Sequence, residues 1–372
     1  MKFKTFFLIP FVLLAACGNS QLEEPKTVSP EEELSGENEV RAGENSADDS
    51  QFVLCKGADV SWLTEMEDQG IKFYPKGGGP AEDCLVILKD LGVNAVRLRA
   101  WVQPENKYNT MEDVLVKCQR AAELGMDIMI DFHYSDNWAD PSKQTTPKIW
   151  ADLNIEELVE ALRDYTRESL LFLKNAGIDV KWVQVGNETG NGMLWPLGQA
   201  DKYPKNYALL TTAGYEAVKE VYPEAKVIVH LQNGQEIGTA KWLFNILNTY
   251  KAKYDVAGFS LYPGKETYEA YVKSAKETME YIVERYGKDV MLCEVGMKWD
   301  YISQCYNFLK MVFELGYEIP GDHYLGALYW EPECFPAWNG YDLGAFNNSH
   351  RPTSALDAFS INYSGVPKIF DN

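Results

Sequence analysis

Apolar and polar positions follow two repeating patterns along the chain from residue 52 onward. Short runs rich in β-branched and aromatic residues predict strands, and longer segments with apolar residues every three or four positions predict amphipathic helices. Eight runs read as strands: FVLCKGAD, VNAVRLR, MDIMIDF, VKWVQVG, AKVIVHL, DVAGFSLY, DVMLCEVG and YLGALYW. Helices are predicted near residues 81–91, 111–124, 155–175, 206–221, 239–253, 266–286 and 301–315, with a last one near 353–359.

Eight strand–helix pairs predict an α/β fold, a single (β/α)8 barrel of the TIM type. Strands that alternate with helices pair in parallel, and a set of eight favours closure over an open sheet. A doubly wound open sheet is the alternative, but the glycine-rich first turn of nucleotide-binding sheets is missing. No linker interrupts residues 52–372, which are therefore predicted to form one catalytic domain.

Polar and aromatic residues follow the carboxyl end of every predicted strand. In a (β/α)8 barrel these ends meet at one face, where active sites form. In chain order they read GADVSW, RLRAWVQP, DFHYSDNWADP, GNETG, HLQNG, SLYPG, CEVG and YWEPE. Because folding alone does not explain such a collection, the sequence predicts a functional site at this end of the barrel.

Two glutamates at strand ends predict the chemistry of that site. Glu188 ends the fourth strand and Glu294 the seventh, so closure of the barrel places them across the mouth from each other. Either one alone could be a solvated loop residue, but a protonated and an ionised carboxyl together hydrolyse glycosidic bonds. Arg97 and Arg99 share one face of the second strand. An arginine near Glu294 would keep it ionised and leave Glu188 as the proton donor.

Aromatic and polar side chains just beyond the strand ends predict contacts with sugars. Aromatic rings pack on the C–H faces of pyranose rings, and sugar hydroxyls need polar partners nearby. The aromatic candidates are Trp101, Tyr134, Trp138, Tyr262, Trp299, Trp330 and Trp338. Trp330 is the strongest candidate for a ring platform, whereas loop packing explains some of the others. The polar candidates are Asp59, Asp136, Asn187 and His133, the last of which could instead donate a structural hydrogen bond.

Six of these motifs resemble glycoside hydrolase family 53, the endo-β-1,4-galactanases. They are GADVSW (57–62), VRLRAWVQP (96–104), DFHYSDNWADP (131–141), VGNE (185–188), CEVG (293–296) and YWEP (329–332). The resemblance implies a retaining glycosidase that cleaves internal β-1,4-galactosidic bonds. It also implies that Glu188 is the general acid/base and Glu294 the nucleophile of a covalent intermediate.

Two features depart from the family pattern. Gln232 in HLQNG stands where an aspartate is expected, which puts a polar contact from the fifth strand in doubt. Some bacterial members bind structural calcium in the loops after the last strands, but this sequence has no dense acidic cluster there. No metal and no cofactor are therefore predicted.

Charge and composition limit the other partners. The formal net charge is −20 and no basic stripe occurs, which argues against nucleic acid. The four histidines are scattered without metal-ligand spacing, and a phosphate-binding loop is missing. Two rival functions stay open: a related retaining β-glycanase acting on mannan or glucan, and a surface lipoprotein that binds glycan without cutting it.

The N-terminal segment predicts export and a lipid anchor. MKFKTFFLIPFVLLAAC has two lysines, a short apolar run and small residues, and Leu14–Cys17 resembles a bacterial lipobox. Residues 1–17 would be a lipoprotein signal peptide and lipobox with Cys17 as the lipidated residue, and an ordinary cleaved signal peptide is the alternative. Residues 18–51 predict a disordered acidic tether, because 18–50 hold ten acidic and two basic residues. The expected protein is a monomer on the outer membrane, at the cell surface or the periplasmic face.

Overall fold

A closed barrel of eight parallel strands forms the centre of the computed structural model, which describes residues 53–336 and 338–363. The strands are β1 (Cys55–Asp59), β2 (Ala95–Ala100), β3 (Asp127–Phe132), β4 (Trp182–Val185), β5 (Lys226–Leu231), β6 (Val256–Leu261), β7 (Asp289–Val295) and β8 (Tyr324–Trp330). Each strand pairs with the next in the chain, and β1 pairs with β8. The predicted (β/α)8 barrel is confirmed.

Helices connect the strands around the outside of the barrel. They are α1 (Leu63–Asp68), α2 (Cys84–Asp90), α3 (Met111–Glu123), α4 (Ile155–Asn175), α5 (Pro204–Val221), α6 (Ile237–Thr249), α7 (Tyr268–Tyr286) and α8 (Ile302–Glu318). The last predicted helix is a 3-10 helix, Ser354–Ser360, and a second 3-10 turn spans Lys148–Trp150. The sequence did not predict α1, because six residues are too few to display helical periodicity.

Local sequence signals set the ends of several helices. Asn154 caps α4 by accepting from the Glu157 backbone N–H, while the Glu157 side chain accepts from the Asn154 backbone. This reciprocal capping box satisfies donors that have no partner inside the helix. At the other end of a helix, Gly287 follows α7 with φ +60°, a left-handed conformation that glycine adopts without steric cost.

The barrel interior changes from apolar to polar between its two ends. Alternate strand residues point inward, and those near the amino ends form one buried apolar cluster. The cluster contains Cys55, Ala95, Met129, Trp182, Ile228, Val256, Met291, Cys293, Leu325 and Leu328. Closer to the carboxyl ends of β1 to β5, the inward residues are polar and still buried: Asp59, Arg97, Asp131, Gln184 and His230. The apolar floor thus supports a polar layer below the mouth.

The six described cysteines are free thiols, all of them buried: Cys55, Cys84, Cys118, Cys293, Cys305 and Cys334. Within the described ranges, no helix combines the length and apolarity needed to cross a bilayer. The predicted signal peptide, the lipobox with Cys17 and the acidic tether lie outside the described residues.

Candidate active site

Glu188 reaches the mouth of the barrel through an unusual turn after β4. Gly186 has φ +90° and Glu188 has φ +46°, a left-handed conformation that is uncommon for a residue with a side chain. Hydrogen bonds to β5 hold this turn: the backbone N–H of Glu188 donates to His230 Nδ1 at 3.3 Å, and that of Thr189 donates to the His230 carbonyl at 2.8 Å. Uncommon backbone conformations held in this way concentrate at functional sites.

The two predicted catalytic carboxyls face each other across a short gap. Carboxylate oxygens of Glu188 and Glu294 lie within 4.8 Å of each other. The Ser260 hydroxyl sits between them, 2.7 Å from Glu188 Oε1 and 3.4 Å from Glu294 Oε2. Retaining glycosidases hold their carboxyls about 5–5.5 Å apart, whereas inverting enzymes need a wider gap for a water molecule. The separation therefore fits double displacement.

Glu294 is held by a cation and a hydroxyl. Arg97 Nη2 lies 2.8 Å from Glu294 Oε1, and the Tyr262 hydroxyl donates to Glu294 Oε2 at 2.8 Å. Arg97 is 1% exposed, so solvent screens its charge little. The structure thus places Arg97 rather than Arg99 beside Glu294. Tyr262, predicted to contact sugar, donates its hydroxyl to the Glu294 carboxylate.

Glu188 lies in an environment that favours the protonated acid. Burial, followed by the negative charge of Glu294, raises the pKa of Glu188 to about 8. Hydrogen bonding from Ser260 and the charge of Arg97 oppose this rise without cancelling it. At neutral pH the site therefore combines a protonated Glu188 with a Glu294 that is bound by the Arg97 guanidinium and the Tyr262 hydroxyl.

Arg97 is the hub of a buried polar network below the two glutamates. Its Nη1 donates to Asp59 at 2.6 Å, its Nη2 to Asp131 at 2.9 Å and its Nε to Gln184 at 2.7 Å. Burial raises the pKa of Asp131, but Arg97 and then His133 outweigh it and hold the value at about 2. The network keeps the guanidinium fixed and Asp131 ionised, so Arg97 presents its charge to Glu294 in one orientation.

Two of the polar residues predicted to contact sugar, His133 and Asp136, bond inside the protein instead. His133 donates from Nε2 toward Asp131 at 3.0 Å, and its Nδ1 accepts from the Trp101 indole and the Ala139 backbone, both at 3.2 Å. This geometry supports the structural interpretation of His133. Asp136 accepts from the backbone N–H groups of Gln103 and Lys148, and so ties two loops together.

Asn187 divides its carboxamide between the network and the mouth. Its Oδ1 accepts from Arg97 Nη2 at 2.8 Å, and its Nδ2 donates to the Ala139 carbonyl at 2.8 Å. An amide nitrogen carries two hydrogens, so one donor remains for a ligand. Asn187 is buried, at 6% exposure.

The opposite side of the mouth is an aromatic wall made of Trp62, Trp101, Trp138, Trp330 and Tyr341. Neighbouring rings lie 4.9–5.9 Å apart, centre to centre, and meet at tilted or edge-on angles. The Arg99 guanidinium packs behind these rings, 4.3 Å from the Trp138 ring centre. Partly exposed Trp138 and Trp330 are the predicted sugar platforms that belong to this wall.

Glu331 anchors the aromatic wall from the end of β8. Its Oε1 accepts from Arg99 Nη1 at 2.6 Å, and both its oxygens accept from the Trp62 backbone N–H at 3.1–3.2 Å. Burial raises the pKa of Glu331 to about 7, against the opposing charge of Arg99. Glu333 lies close by, and burial and Glu331 together raise its pKa well above the usual range.

The remaining aromatic candidates lie elsewhere. Tyr134 is 1% exposed and stacks on Phe132, and Trp338 is 4% exposed, so both pack in the core. Trp299 follows β7 and is half-buried. On the β5 side, Gln232 packs against Gly190, and its Oε1 is buried without a hydrogen-bond partner among the described residues.

Sequence reasoning missed several residues of the site. Trp62 and Glu331 in the wall, and Gln184, His230 and Ser260 in the polar layer, were not singled out. The available signal was strand periodicity, since Gln184 and His230 are polar residues at inward positions of otherwise apolar strands.

Among the described residues, one group could hold a metal ion. Ligand atoms of Glu188, His230 and Glu294 lie within 4.8 Å of one another. The same atoms already bond to neighbours: His230 Nε2 to Ser260 at 2.9 Å, Glu188 to Ser260, and Glu294 to Arg97. The expectation that the enzyme needs no metal remains a prediction.

A parallel (β/α)8 barrel whose mouth holds two facing carboxyls beside an aromatic wall, one of them with a raised pKa and the other bound by a buried arginine, defines a glycoside hydrolase of the retaining type. The sequence model for glycosyl hydrolase family 53 matches residues 55–359, and the chain belongs to this family.

Curated relatives and solved structures agree with this assignment. The chain is 32% identical over 329 residues to an arabinogalactan endo-β-1,4-galactanase from Humicola insolens, covering 82% of this chain and 98% of that one. It is 35% identical over 251 residues to an endo-β-1,4-galactanase from Bacillus subtilis, covering 65% of this chain and 56% of that one. A structure reported among two fungal β-1,4-galactanases superposes with a TM-score of 0.75 at 29% identity, covering 82% and 98%. The family 53 catalytic domain from Ignisphaera aggregans superposes with a TM-score of 0.74 at 28% sequence identity, covering 83% of this chain and 95% of that one.

Proposed function

We propose that this enzyme is an endo-β-1,4-galactanase that hydrolyses galactan or type I arabinogalactan with retention of anomeric configuration. The galactanase relatives support the substrate class. The observation that carries the chemistry is the facing pair Glu188 and Glu294, with Arg97 and Tyr262 on one carboxyl and a raised pKa on the other.

In the first step, Glu294 attacks the anomeric carbon while Glu188 protonates the departing glycosidic oxygen. The bond between that carbon and oxygen breaks, and a covalent galactosyl ester forms on Glu294. Arg97 and Tyr262 hold Glu294 in line for attack, which lowers the entropic part of the barrier.

In the second step, Glu188 works as a base. It takes a proton from water, whose oxygen attacks the anomeric carbon and displaces Glu294. Esterification has removed the negative charge of Glu294, which was the largest cause of the raised pKa of Glu188 after burial. The deprotonated form is therefore easier to reach in this step than in the free enzyme.

The aromatic wall binds sugar rings next to the cleaved bond. Trp138 and Trp330 are partly exposed and meet at a ring-centre distance of 5.9 Å. The apolar faces of galactose pack on such rings while its hydroxyls turn to polar groups of the opposite side. Asn187, with its spare N–H, supplies one such polar contact.

Purified galactan, mannan and β-glucan test the proposed function. We expect reducing ends from galactan, products of several sizes early in the digest, and initial β-anomers by NMR. Glu294→Ala should lose at least about 10⁴-fold in kcat, since removing a nucleophile costs orders of magnitude. Glu188→Ala should retain turnover only of substrates with good leaving groups.

Three outcomes would overturn the proposal. Preferential cleavage of mannan or β-glucan would make the protein a related β-glycanase. Binding of galactan without release of reducing ends would make it a glycan-binding protein. Initial products of α configuration would exclude double displacement, whatever the substrate.

We also propose that the enzyme is exported and anchored in the outer membrane through lipid on Cys17, and that it acts as a monomer. The lipobox-like Leu14–Cys17 and the acidic segment 18–51 support this location. Labelling with radioactive palmitate should mark the wild-type protein and leave Cys17→Ala unlabelled. Equal labelling of both would contradict the assignment, and sedimentation of the delipidated enzyme tests the monomer.

A further inference from the structure

We propose that Ser260 is a positioning residue that selects which oxygen of Glu188 carries the catalytic proton, and that His230 fixes the direction of the Ser260 hydroxyl. The inference rests on the proposed function, because it takes Glu188 as the acid/base. Ser260 and His230 are 1% and 0% exposed. Their hydrogen bonds lead from β5 through β6 to Glu188.

The hydrogen bonds around His230 determine which ring nitrogen carries the hydrogen. Two donors face Nδ1: Gln184 Nε2 at 3.1 Å and the Glu188 backbone N–H at 3.3 Å. A nitrogen that accepts both has no hydrogen, so the neutral ring carries its hydrogen on Nε2. Burial, followed by Arg97, lowers the pKa of His230 well below its usual range and keeps the ring neutral. Asn187 Oδ1, 3.0 Å from Nδ1, opposes this tautomer, but it already accepts from Arg97.

This tautomer leaves Ser260 one direction in which to donate. His230 Nε2 lies 2.9 Å from Ser260 Oγ and donates to it, so the hydroxyl hydrogen must point elsewhere. Glu188 Oε1 lies at 2.7 Å, whereas Glu294 Oε2 is 3.4 Å away and already accepts from Tyr262. The Ser260 hydrogen therefore goes to Glu188 Oε1.

An oxygen that accepts this hydrogen bond is a poor place for the acidic proton. The proton of Glu188 then sits on Oε2, and it leaves from Oε2 to the glycosidic oxygen as the C–O bond breaks. The bond from Ser260 strengthens as Glu188 becomes charged, so it favours proton transfer. In the second step, the proton from water returns to Oε2 while Ser260 remains on Oε1.

Other titratable or charged groups also face Glu188, and the test must separate their effects from that of Ser260. They come from four elements: Glu294 on β7, Arg97 on β2, Asp140 in the loop after β3, and His230 on β5. Substitution of Ser260 changes none of these side chains. Ser260→Thr keeps a hydroxyl and Ser260→Ala removes it, which makes the two variants a matched pair.

We expect Ser260→Ala to lower kcat/KM on galactan about 10- to 100-fold, the usual effect of a hydrogen bond to a charged group. On a nitrophenyl galactobioside the loss should be below about threefold, because a good leaving group needs little protonation. The alkaline limb of the pH profile should move to higher pH, since the Ser260 bond lowers the pKa of Glu188. Ser260→Thr, which keeps the hydroxyl, should recover most of the galactan activity that Ser260→Ala loses.

Equal losses on both substrates with an unmoved pH profile would show that Ser260 has only a structural role. Wild-type behaviour of Ser260→Ala would also overturn the proposal. His230→Phe should reproduce the same pattern in weaker form, because the Ser260 hydroxyl remains but can rotate. Thermal melting of each variant shows whether it folds.

A substrate-free measurement separates this inference from the proposed function. Carbon-13 NMR titration of the Glu188 carboxyl should show a higher pKa in Ser260→Ala than in wild type. If the enzyme cleaved another β-glycan, the proposed substrate would fail while this titration still tested Ser260. An unchanged Glu188 titration would overturn the inference even if galactan were the substrate.

Discussion

Arg97 and Arg99 lie two residues apart on β2, point into the same mouth and are each 1% exposed, yet their surroundings are opposite. The Arg97 guanidinium donates to, or pairs with, oxygen atoms of five side chains: Asp59, Asp131, Gln184, Asn187 and Glu294. Arg99 has one carboxylate partner and three indole rings within 5.6 Å of its guanidinium carbon. Arg97 therefore binds the polar groups of the site, and Arg99 supports the aromatic wall.

The difference explains why two arginines are needed in so small a space. Arg99 Nε and Nη2 have no hydrogen-bond partner among the described residues, and the ring faces around them accept N–H groups weakly instead. A guanidinium stacks flat on indole rings, whereas a lysine ammonium does not. Arg99 therefore keeps the aromatic wall in place while Arg97 orients Glu294.

The largest difference should appear when each arginine becomes lysine. Arg97→Lys keeps one charge but cannot reach five acceptors, so Glu294 loses its orientation. We expect kcat to fall at least about 100-fold, the usual effect of removing one preorganised donor. Arg99→Lys is the matched control and should cost less than about tenfold, mainly in KM. Equal losses in kcat from the two variants would contradict the assignment of Arg97 to orienting Glu294 and of Arg99 to supporting the aromatic wall.

The charged side should also control the pH dependence of catalysis. Glu188 must be protonated to act as the acid, so kcat/KM should fall above a pH of about 8 rather than near the usual glutamate value. Glu294→Gln removes the charge that is the largest cause of the raised pKa after burial, and it should lower the Glu188 pKa in an NMR titration. An unchanged Glu188 pKa in that variant would exclude the charge of Glu294 as a cause of the rise.

The aromatic side should influence stability rather than turnover as pH changes. Burial raises the pKa of Glu331 to about 7, and burial together with Glu331 raises the pKa of Glu333 well above its usual range. Both carboxyls have folded-state pKa values above the unfolded-state value of about 4.3. Their protonated forms therefore stabilise the fold fully below a pH of about 4.3, and this stabilisation is lost as the pH rises through about 7 and beyond. Glu333→Gln should lessen the fall in Tm between pH 6 and 9. A parallel fall in the variant would contradict this assignment.

The smallest effect should come from one ring of the wall. Trp330→Ala removes a predicted sugar platform and should raise KM about tenfold with little change in kcat, because ring stacking acts on substrate and transition state alike. Trp242→Ala is the control, since Trp242 lies on α6 outside the barrel and is 40% exposed. A similar KM in both variants would remove Trp330 from the binding surface.

Much of the fold was predictable because the barrel strands are periodic and strongly apolar. The positions of Glu188 and Glu294 followed from the rule that parallel strands end at one face. The sequence could not distinguish Arg97 from Arg99, because two inward arginines on one strand look alike until neighbouring strands supply partners. Trp62 meets Glu331 across 269 positions of the chain, and such a pairing depends on barrel closure.

His133 illustrates the same limit at a single residue. Its motif is equally compatible with a sugar contact and with a structural bond. Only the three-dimensional arrangement shows that Asp131, Trp101 and Ala139 occupy both ring nitrogens. Ser260 was overlooked because an isolated serine carries no pattern, and its importance arises from lying between two acids.

The buried thiols have a practical consequence for handling the enzyme. Each lies in an apolar cluster, and burial raises the thiol pKa, to about 12 in Cys118 and Cys305. Oxidants and alkylating reagents attack the thiolate at accessible sites, so these six side chains should stay inert in both air and reductant. Galactan digestion should therefore proceed at the same rate with or without dithiothreitol, and the barrel could be produced in a reducing cytoplasm.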